Sequence, residues 1–200
     1  HLANADEPLV SHAQAQIERF IATALYTNLP ICIANSATTI RFDKARGDYV
    51  RLGIAMYGST PFQESDNPIN LEPVMSLESK IIALRTIPKG DTVGYGSTWE
   101  ATKDSVIATV ALGYGDGYPR HAPTNTPAWC NNQLVPLVGR VSMDMLTVDL
   151  TELPHIKEGD PVELWGEHVS ANLVADHSST IAYTLFTGIT RRVPLRYINQ

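Results

Sequence analysis

The character of this chain changes once, at Gly58, and that change limits the folds open to it. Before it, an amphipathic stretch alternates with short apolar runs. After it come β-type runs separated by Gly, Pro and Asp turns. Residues 11–27 carry Ala13, Ile17, Phe20, Ile21 and Ala24 on a period near that of an α-helix, which predicts a helix that Ser11 can cap. Residues 30–34 read as a short apolar strand ending in Asn35-Ser36, residues 39–46 as helix or loop, and residues 49–58 as a strand, a glycine turn and a short helix or strand. Strand–helix alternation at this spacing is the pattern of βα units around a parallel sheet. From Pro73 onward, apolar runs at 75–87, 105–112, 133–138, 145–150 and 161–165 predict a mostly β, barrel-like domain with one helix near its end, at 170–178 or 181–187. The turns at 88–91 and 157–160 share a Lys, Gly and Asp signature, read as recurrent hairpin chemistry rather than an internal repeat. The expected division is residues 1–60, a linker at 61–72, and 73–200.

Composition excludes some classes. The net charge of −6 argues against nucleic acid or an anionic membrane as the main partner. No apolar run approaches the roughly 18 residues of a membrane span. Cys32 and Cys130 stand far apart, outside any CxxC or Cys/His cluster, so the sequence predicts neither a metal site nor a disulfide framework and favours a reducing, cytoplasmic setting.

Several segments have the composition of sites, each with a plainer alternative. Gly113-Tyr114-Gly115-Asp116-Gly117-Tyr118-Pro119-Arg120 follows the apolar run at 105–112. Glycines there allow close backbone approach and present Tyr114, or they make a turn that happens to hold an aromatic residue. Ala34-Asn35-Ser36 at a strand end offers a hydroxyl and backbone N–H groups to a phosphate, or is an ordinary helix cap. Arg51-Leu52-Gly53-Ile54 brings a cation and a glycine to the same rim, or is a surface arginine before a packing glycine. Residues 138–145 place Arg140, Ser142 and Asp144 between apolar residues around Met143, as a site or as a kinked strand. His1 sits where an imidazole can tune a neighbouring acid or base, or is structural. The opening residues read as the end of a strand and its loop, which predicts a longer polypeptide.

In this order, these segments resemble the alanine racemase family. The match runs through His1-Leu-Ala-Asn-Ala-Asp6, Ala34-Asn-Ser36, Val50-Arg-Leu-Gly-Ile-Ala-Met-Tyr-Gly58, the Tyr114 segment, Val138-Gly-Arg-Val-Ser-Met-Asp144 and Thr190-Arg-Arg-Val-Pro194. The resemblance implies the last units of a (β/α)8 barrel followed by a β-rich C-terminal domain. It also implies pyridoxal phosphate as cofactor, alanine as substrate, D-alanine supply for peptidoglycan, and a cytoplasmic homodimer. By position, Tyr114 would be one of two catalytic bases, acting on the L-enantiomer across the dimer interface. Ser36 and the backbone of Gly53 and Ile54 would hold the phosphate, and Arg51 would face the ring nitrogen. Met143 would contact the substrate carboxylate through its backbone, and His1 stands where the family has a histidine that supports the base. A phenol has an ordinary pKa of about 10, so as a base it needs cationic or hydrogen-bonding neighbours.

Cys32 stands where many members carry a histidine near that arginine, and Arg191 where some carry a tyrosine. None of Lys44, Lys80, Lys89, Lys103 and Lys157 matches the family's cofactor-linked lysine. The expectation is therefore the C-terminal portion of a racemase, inactive alone. The alternatives are a non-catalytic β-domain interaction module and, within the enzyme class, a racemase of broader scope or a related decarboxylase.

Overall fold

The computed structural model describes residues 1–63 and 67–198, which sort into two units, His1–Met75 and Ser76–Gln200. Of the segment read as a linker, residues 64–66 lie outside the described residues, as do 199 and 200 at the end of the β-rich part.

In the first unit, α1 (Ser11–Ala24) buries Ala13 and Ile17. Ser11 is not its cap: the backbone at Val10 has already turned helical (φ −71°, ψ −13°), so Ser11 is the first helical residue and no side chain caps this end. The helix packs its apolar stripe on a cluster of Leu2, Ala5, Ile33, Ala37, Ala45 and Phe62. α2 (Ser36–Arg41) starts because Asn35 is extended and its carboxamide oxygen accepts from the Thr38 N–H at 2.9 Å. Residues 30–34 do not form a continuous ladder with residues 48–51. Asp48 and Tyr49 both donate to the Ile31 carbonyl, Arg51 N–H donates to the Ala34 carbonyl at 2.8 Å, and a parallel bridge joins Ala34 to Val50. These contacts set the ends of the two segments side by side, as βα connections do. Ile54–Tyr57 then forms a 3-10 turn rather than a strand.

The second unit is built on a six-stranded antiparallel sheet. Its strands are β1 (Leu77–Ile87), β4 (Ser105–Val110), β5 (Pro127–Cys130), β6 (Gln133–Pro136), β7 (Leu146–Asp149) and β8 (Pro161–Trp165), in the order β6-β5-β8-β1-β4-β7. A two-stranded ribbon of β2 (Thr92–Val93) and β3 (Trp99–Glu100) stands apart from it. β1 pairs with β8 through its first half and with β4 through its second, and register shifts occur in both pairings. Such irregularities bend a strand and let one sheet curl. The curl brings the edges together: Leu137 bridges Val148, and Val138 N–H donates to the Thr147 carbonyl at 2.9 Å. Ile81, Ala108, Val110, Leu137, Leu146, Val148, Val162, Leu164 and Trp165 are buried in the resulting barrel-like core.

Both segments offered as the single late helix are helical, as α3 (Ala171–His177) and α4 (Ala182–Gly188). Ser170 caps α3 by accepting from Leu173 N–H, and Ser179, at φ 51°, turns the chain between the two. The turns at 88–91 and 157–160 each close with an i to i+3 bond, but neither joins paired strands. The first leads from β1 to the separate ribbon. The second enters β8 with Gly159 N–H bonded to the Ile81 carbonyl. Their likeness is therefore local turn chemistry without a hairpin.

Candidate active site

In the first unit, Arg51 is the centre of a polar cluster. Its Nη1 donates to the Cys32 carbonyl at 2.8 Å and reaches the Cys32 sulfur at 3.2 Å, while Nη2 lies 3.4 Å from His1 Nδ1. His1 Nε2 lies 3.2 Å from Asn35 Nδ2. A neutral imidazole can accept at only one nitrogen. The Asn35 carboxamide oxygen is held by both the N–H and the hydroxyl of Thr38, so Asn35 presents its NH2 group to His1. His1 thus faces nitrogen donors on both sides, the Asn35 amide at Nε2 and the Arg51 guanidinium at Nδ1, and a neutral ring can accept from only one of them.

One residue beyond Asn35, the buried Ser36 hydroxyl accepts from Gly53 N–H at 2.9 Å and from Ala55 N–H at 3.5 Å. This ties the start of α2 to the start of the Ile54–Tyr57 turn. A Cβ placed on Gly53 would find only Ser36 Oγ within 4 Å, at 3.9 Å, so the space beside that backbone is open. The cluster thus has a hydroxyl, a glycine backbone with room beside it, and a guanidinium, groups that can hold an anion.

In the second unit, Tyr114 stands just beyond the end of β4 in a 3-10 turn, Tyr114–Asp116. Asp116 caps that turn, its carboxylate accepting from Gly113 N–H at 2.9 Å. Two main-chain bonds dock the turn on the loop before β7: Tyr114 N–H to the Ser142 carbonyl at 3.0 Å, and Gly115 N–H to the Met143 carbonyl at 2.8 Å. A Cβ on Gly113 would lie 2.4 Å from both of those carbonyl oxygens, so this approach needs glycine. Gly117 ends the turn at φ 109°. The Tyr114 ring is half-buried, with the Arg120 guanidinium carbon 6.0 Å from its centroid. The neighbouring Tyr118 is different. It is buried and stacked on Trp165 at 5.9 Å, and burial pushes its phenol well above the ordinary value. It is a core residue.

His1, Ser36, Arg51, Gly53 and Ile54 are thus gathered in the first unit, with Cys32 taking part. Tyr114 and Met143 are gathered in the second. Sequence reasoning did not single out Asn35 as the partner of His1, or Asp116, Thr190 and Arg192 as the surroundings of the Tyr114 turn. The spacing of Asp116 from Gly113 was the one available signal, since a carboxylate at that offset can cap a turn. Among the described residues, no group of three or more His, Cys, Asp or Glu could hold a metal ion, and no helix is long and apolar enough to cross a membrane.

Comparison with known proteins follows the same division. The family model for the alanine racemase N-terminal domain matches residues 1–61, and that for the alanine racemase C-terminal domain matches residues 74–197. The alanine racemase of Chromohalobacter salexigens is 48% identical over 200 residues, covering 100% of this chain and 55% of its own length. That of Shewanella denitrificans is 47% identical over 194 residues, covering 96% and 53%. Among solved structures, the biosynthetic alanine racemase of Pseudomonas aeruginosa superposes with a TM-score of 0.94 at 42% identity, over 100% of this chain and 56% of that one. The alanine racemase of Bartonella henselae, solved with covalently bound pyridoxal phosphate, gives 0.90 at 32% identity over 99% and 55%. The chain spans about half the length of the curated relatives it matches.

Proposed function

Because this chain belongs to the alanine racemase family, we propose that the whole protein interconverts L- and D-alanine with pyridoxal phosphate, with Tyr114 as one of two proton-transfer bases. The observation that carries this reading is the first-unit cluster, where the Ser36 hydroxyl, the open backbone at Gly53 and the Arg51 guanidinium lie on adjoining segments.

These residues fit the cofactor. Ser36 and the backbone at Gly53 and Ile54 would hold its phosphate, and Arg51 would face its ring nitrogen. When bound, pyridoxal phosphate supplies an electron-accepting ring that stabilises the charge left at Cα as the α-proton leaves. A guanidinium offers the ring a donor and no transferable proton. Held by the Cys32 carbonyl, Arg51 cannot swing away from that position without breaking a 2.8 Å bond. Tyr114 takes the α-proton of L-alanine at its phenol oxygen and returns one there in the reverse direction. The Arg120 guanidinium carbon lies over the face of the Tyr114 ring, 6.0 Å from its centroid. Met143 presents its backbone to the substrate carboxylate.

In this reading the protein is a homodimer in which Tyr114 and Met143 of one copy serve the other. It works in the cytoplasm, where the D-alanine feeds peptidoglycan synthesis. The two cysteines, both free, suit that compartment. The test is optical. The whole protein, supplied with pyridoxal phosphate and L-alanine, should bring the solution to zero rotation, and D-amino-acid oxidase should then consume half of the alanine. Rotation that stays constant over hours at micromolar protein refutes the assignment.

A further inference from the structure

The Tyr114 turn and the Met143 loop are joined by two main-chain bonds, from Tyr114 to Ser142 and from Gly115 to Met143. Adjacent bonds along one line act as a hinge: they fix spacing while leaving the turn free to tilt. A third point off that line is needed to fix the angle of the phenol.

Arg192 supplies such a point. It lies in the segment after α4. Its Nε is 3.2 Å from Asp116 Oδ1 on the Tyr114 turn, and its Nη2 donates to Asp144 Oδ1 on the Met143 loop. The guanidinium also comes close against the turn: a Cβ built on Gly115 would lie 2.3 Å from Nη1. Asp116 is largely buried and uses its other oxygen to cap Gly113. The same segment holds the turn through Thr190, whose N–H donates to the Asp116 carbonyl at 3.0 Å and whose hydroxyl donates to the Gly115 carbonyl at 3.0 Å. A planar fork can reach one carboxylate on each loop at once, which the point charge of a lysine cannot do.

We propose that Arg192 is a positioning residue that sets the angle of the Tyr114 turn against the Met143 loop by bridging Asp116 and Asp144. The proposal rests on Tyr114 being a base. Arg192 is half exposed and Asp144 more so, so the bridge adds little to global stability. Its effect falls on geometry instead, where a displacement of about 1 Å can cost roughly a hundredfold in rate. A competing role is that Arg192 binds the substrate carboxylate directly. With Nε on Asp116 and Nη2 on Asp144, the structure favours the bridge.

The test compares Arg192→Ala, Arg192→Lys and Asp144→Asn in the whole protein by amide hydrogen exchange and by steady-state kinetics. The expected result is exchange about tenfold faster at the Tyr114 and Gly115 amides in all three variants, with β4 and β7 unchanged. The kinetic expectation is a fall in kcat of about a hundredfold for Arg192→Ala, with KM changed little. The α-deuterium isotope effect should rise with L-alanine, whose α-proton Tyr114 removes, and fall with D-alanine, where the slowed Tyr114 transfer follows removal of the α-proton by the other base. Guanidinium ion should partly rescue Arg192→Ala. Unchanged exchange at Tyr114 and Gly115 overturns the proposal, as does faster exchange spread through β4 and β7. A rise in KM at constant kcat overturns it in favour of substrate binding. If the wild-type protein does not racemise alanine, the functional reading fails, while the exchange result still decides whether Arg192 braces the turn.

Discussion

The carbonyl oxygen of Cys32 holds the Arg51 guanidinium at 2.8 Å, and the Cys32 sulfur adds a longer contact at 3.2 Å. The stronger of the two bonds thus comes from the main chain, which any residue at position 32 provides. Arg51→Ala should lower racemisation about a hundredfold, since it removes a charge-assisted donor. Cys32→Ala should lower it only about threefold, because a weak sulfur acceptor is lost and the carbonyl stays. The two kcat/KM values, measured side by side, check the ordering. An equal loss in both variants would mean that the thiol, and not the backbone, positions the arginine.

Tyr114→Phe removes the phenol oxygen and leaves the turn's main-chain bonds in place. Racemisation should fall by a factor of about 100 to 10,000, the usual contribution of a positioned general base. The thermal midpoint should hardly move. Retention of a tenth or more of the wild-type rate would assign the proton transfer to another group.

Gly113→Ala should be costly for a different reason. The new Cβ would meet the carbonyl oxygens of Ser142 and Met143 at 2.4 Å, and main-chain atoms cannot step aside as a side chain can. Overpacking of this kind costs about 1 to 3 kcal/mol. Urea unfolding of the whole protein should show that loss, together with faster exchange at Tyr114. A midpoint equal to wild type would show that the two loops separate freely.

Glu163 and His168 form a pH-dependent pair away from the candidate site. The buried Glu163 carboxylate accepts from the N–H groups of His168 and Val169 and from the His168 ring at 2.9 Å, and that ring stacks on Trp129 at 4.6 Å. The hydrogen bond to Glu163 raises the His168 pKa above its ordinary 6.5, and the nearby charges of Glu163, Glu167 and Glu78 act in the same direction. Because the folded value is the higher one, the protonated pair stabilises the fold fully below pH 6.5. That stabilisation is lost as pH rises from there through the raised folded value. Thermal midpoints scanned upward from pH 6 should show this decline in the wild type and not in His168→Gln. Glu163→Ala strands two backbone N–H groups and should cost about 2 to 4 kcal/mol even where His168 is neutral, and more where it is protonated.

The parts that were legible in the sequence are those governed by local rules. β8 matches its apolar run residue for residue, since Asp160 and Gly166 bound it with turn residues. β5 was missed: it is only four residues long and opens on Pro127, and what makes it a strand is its pairing with β6 and β8. Residues 30–34 have a strand's composition, but a strand needs a ladder, and here the neighbouring segment supplies staggered contacts at Ile31 and Ala34. Tyr114, Ser36 and Arg51 could be found because each sits in a short motif with its own glycine or cap. Arg192 could not, because its meaning lies in Asp116 and Asp144, which are distant in sequence and brought to it only by the curl of the sheet.

The carbonyls of Ser142 and Met143, rather than their side chains, grip the Tyr114 turn. The consequence is a separation of duties that mutation can exploit. Every residue carries the same carbonyl, so positions 142 and 143 can be rewritten without releasing the tyrosine. Met143 already points an exposed side chain outward and is the first place where such rewriting would be felt. On the proposed reading, side chains at these two positions can change while the main-chain grip on the Tyr114 turn stays as it is.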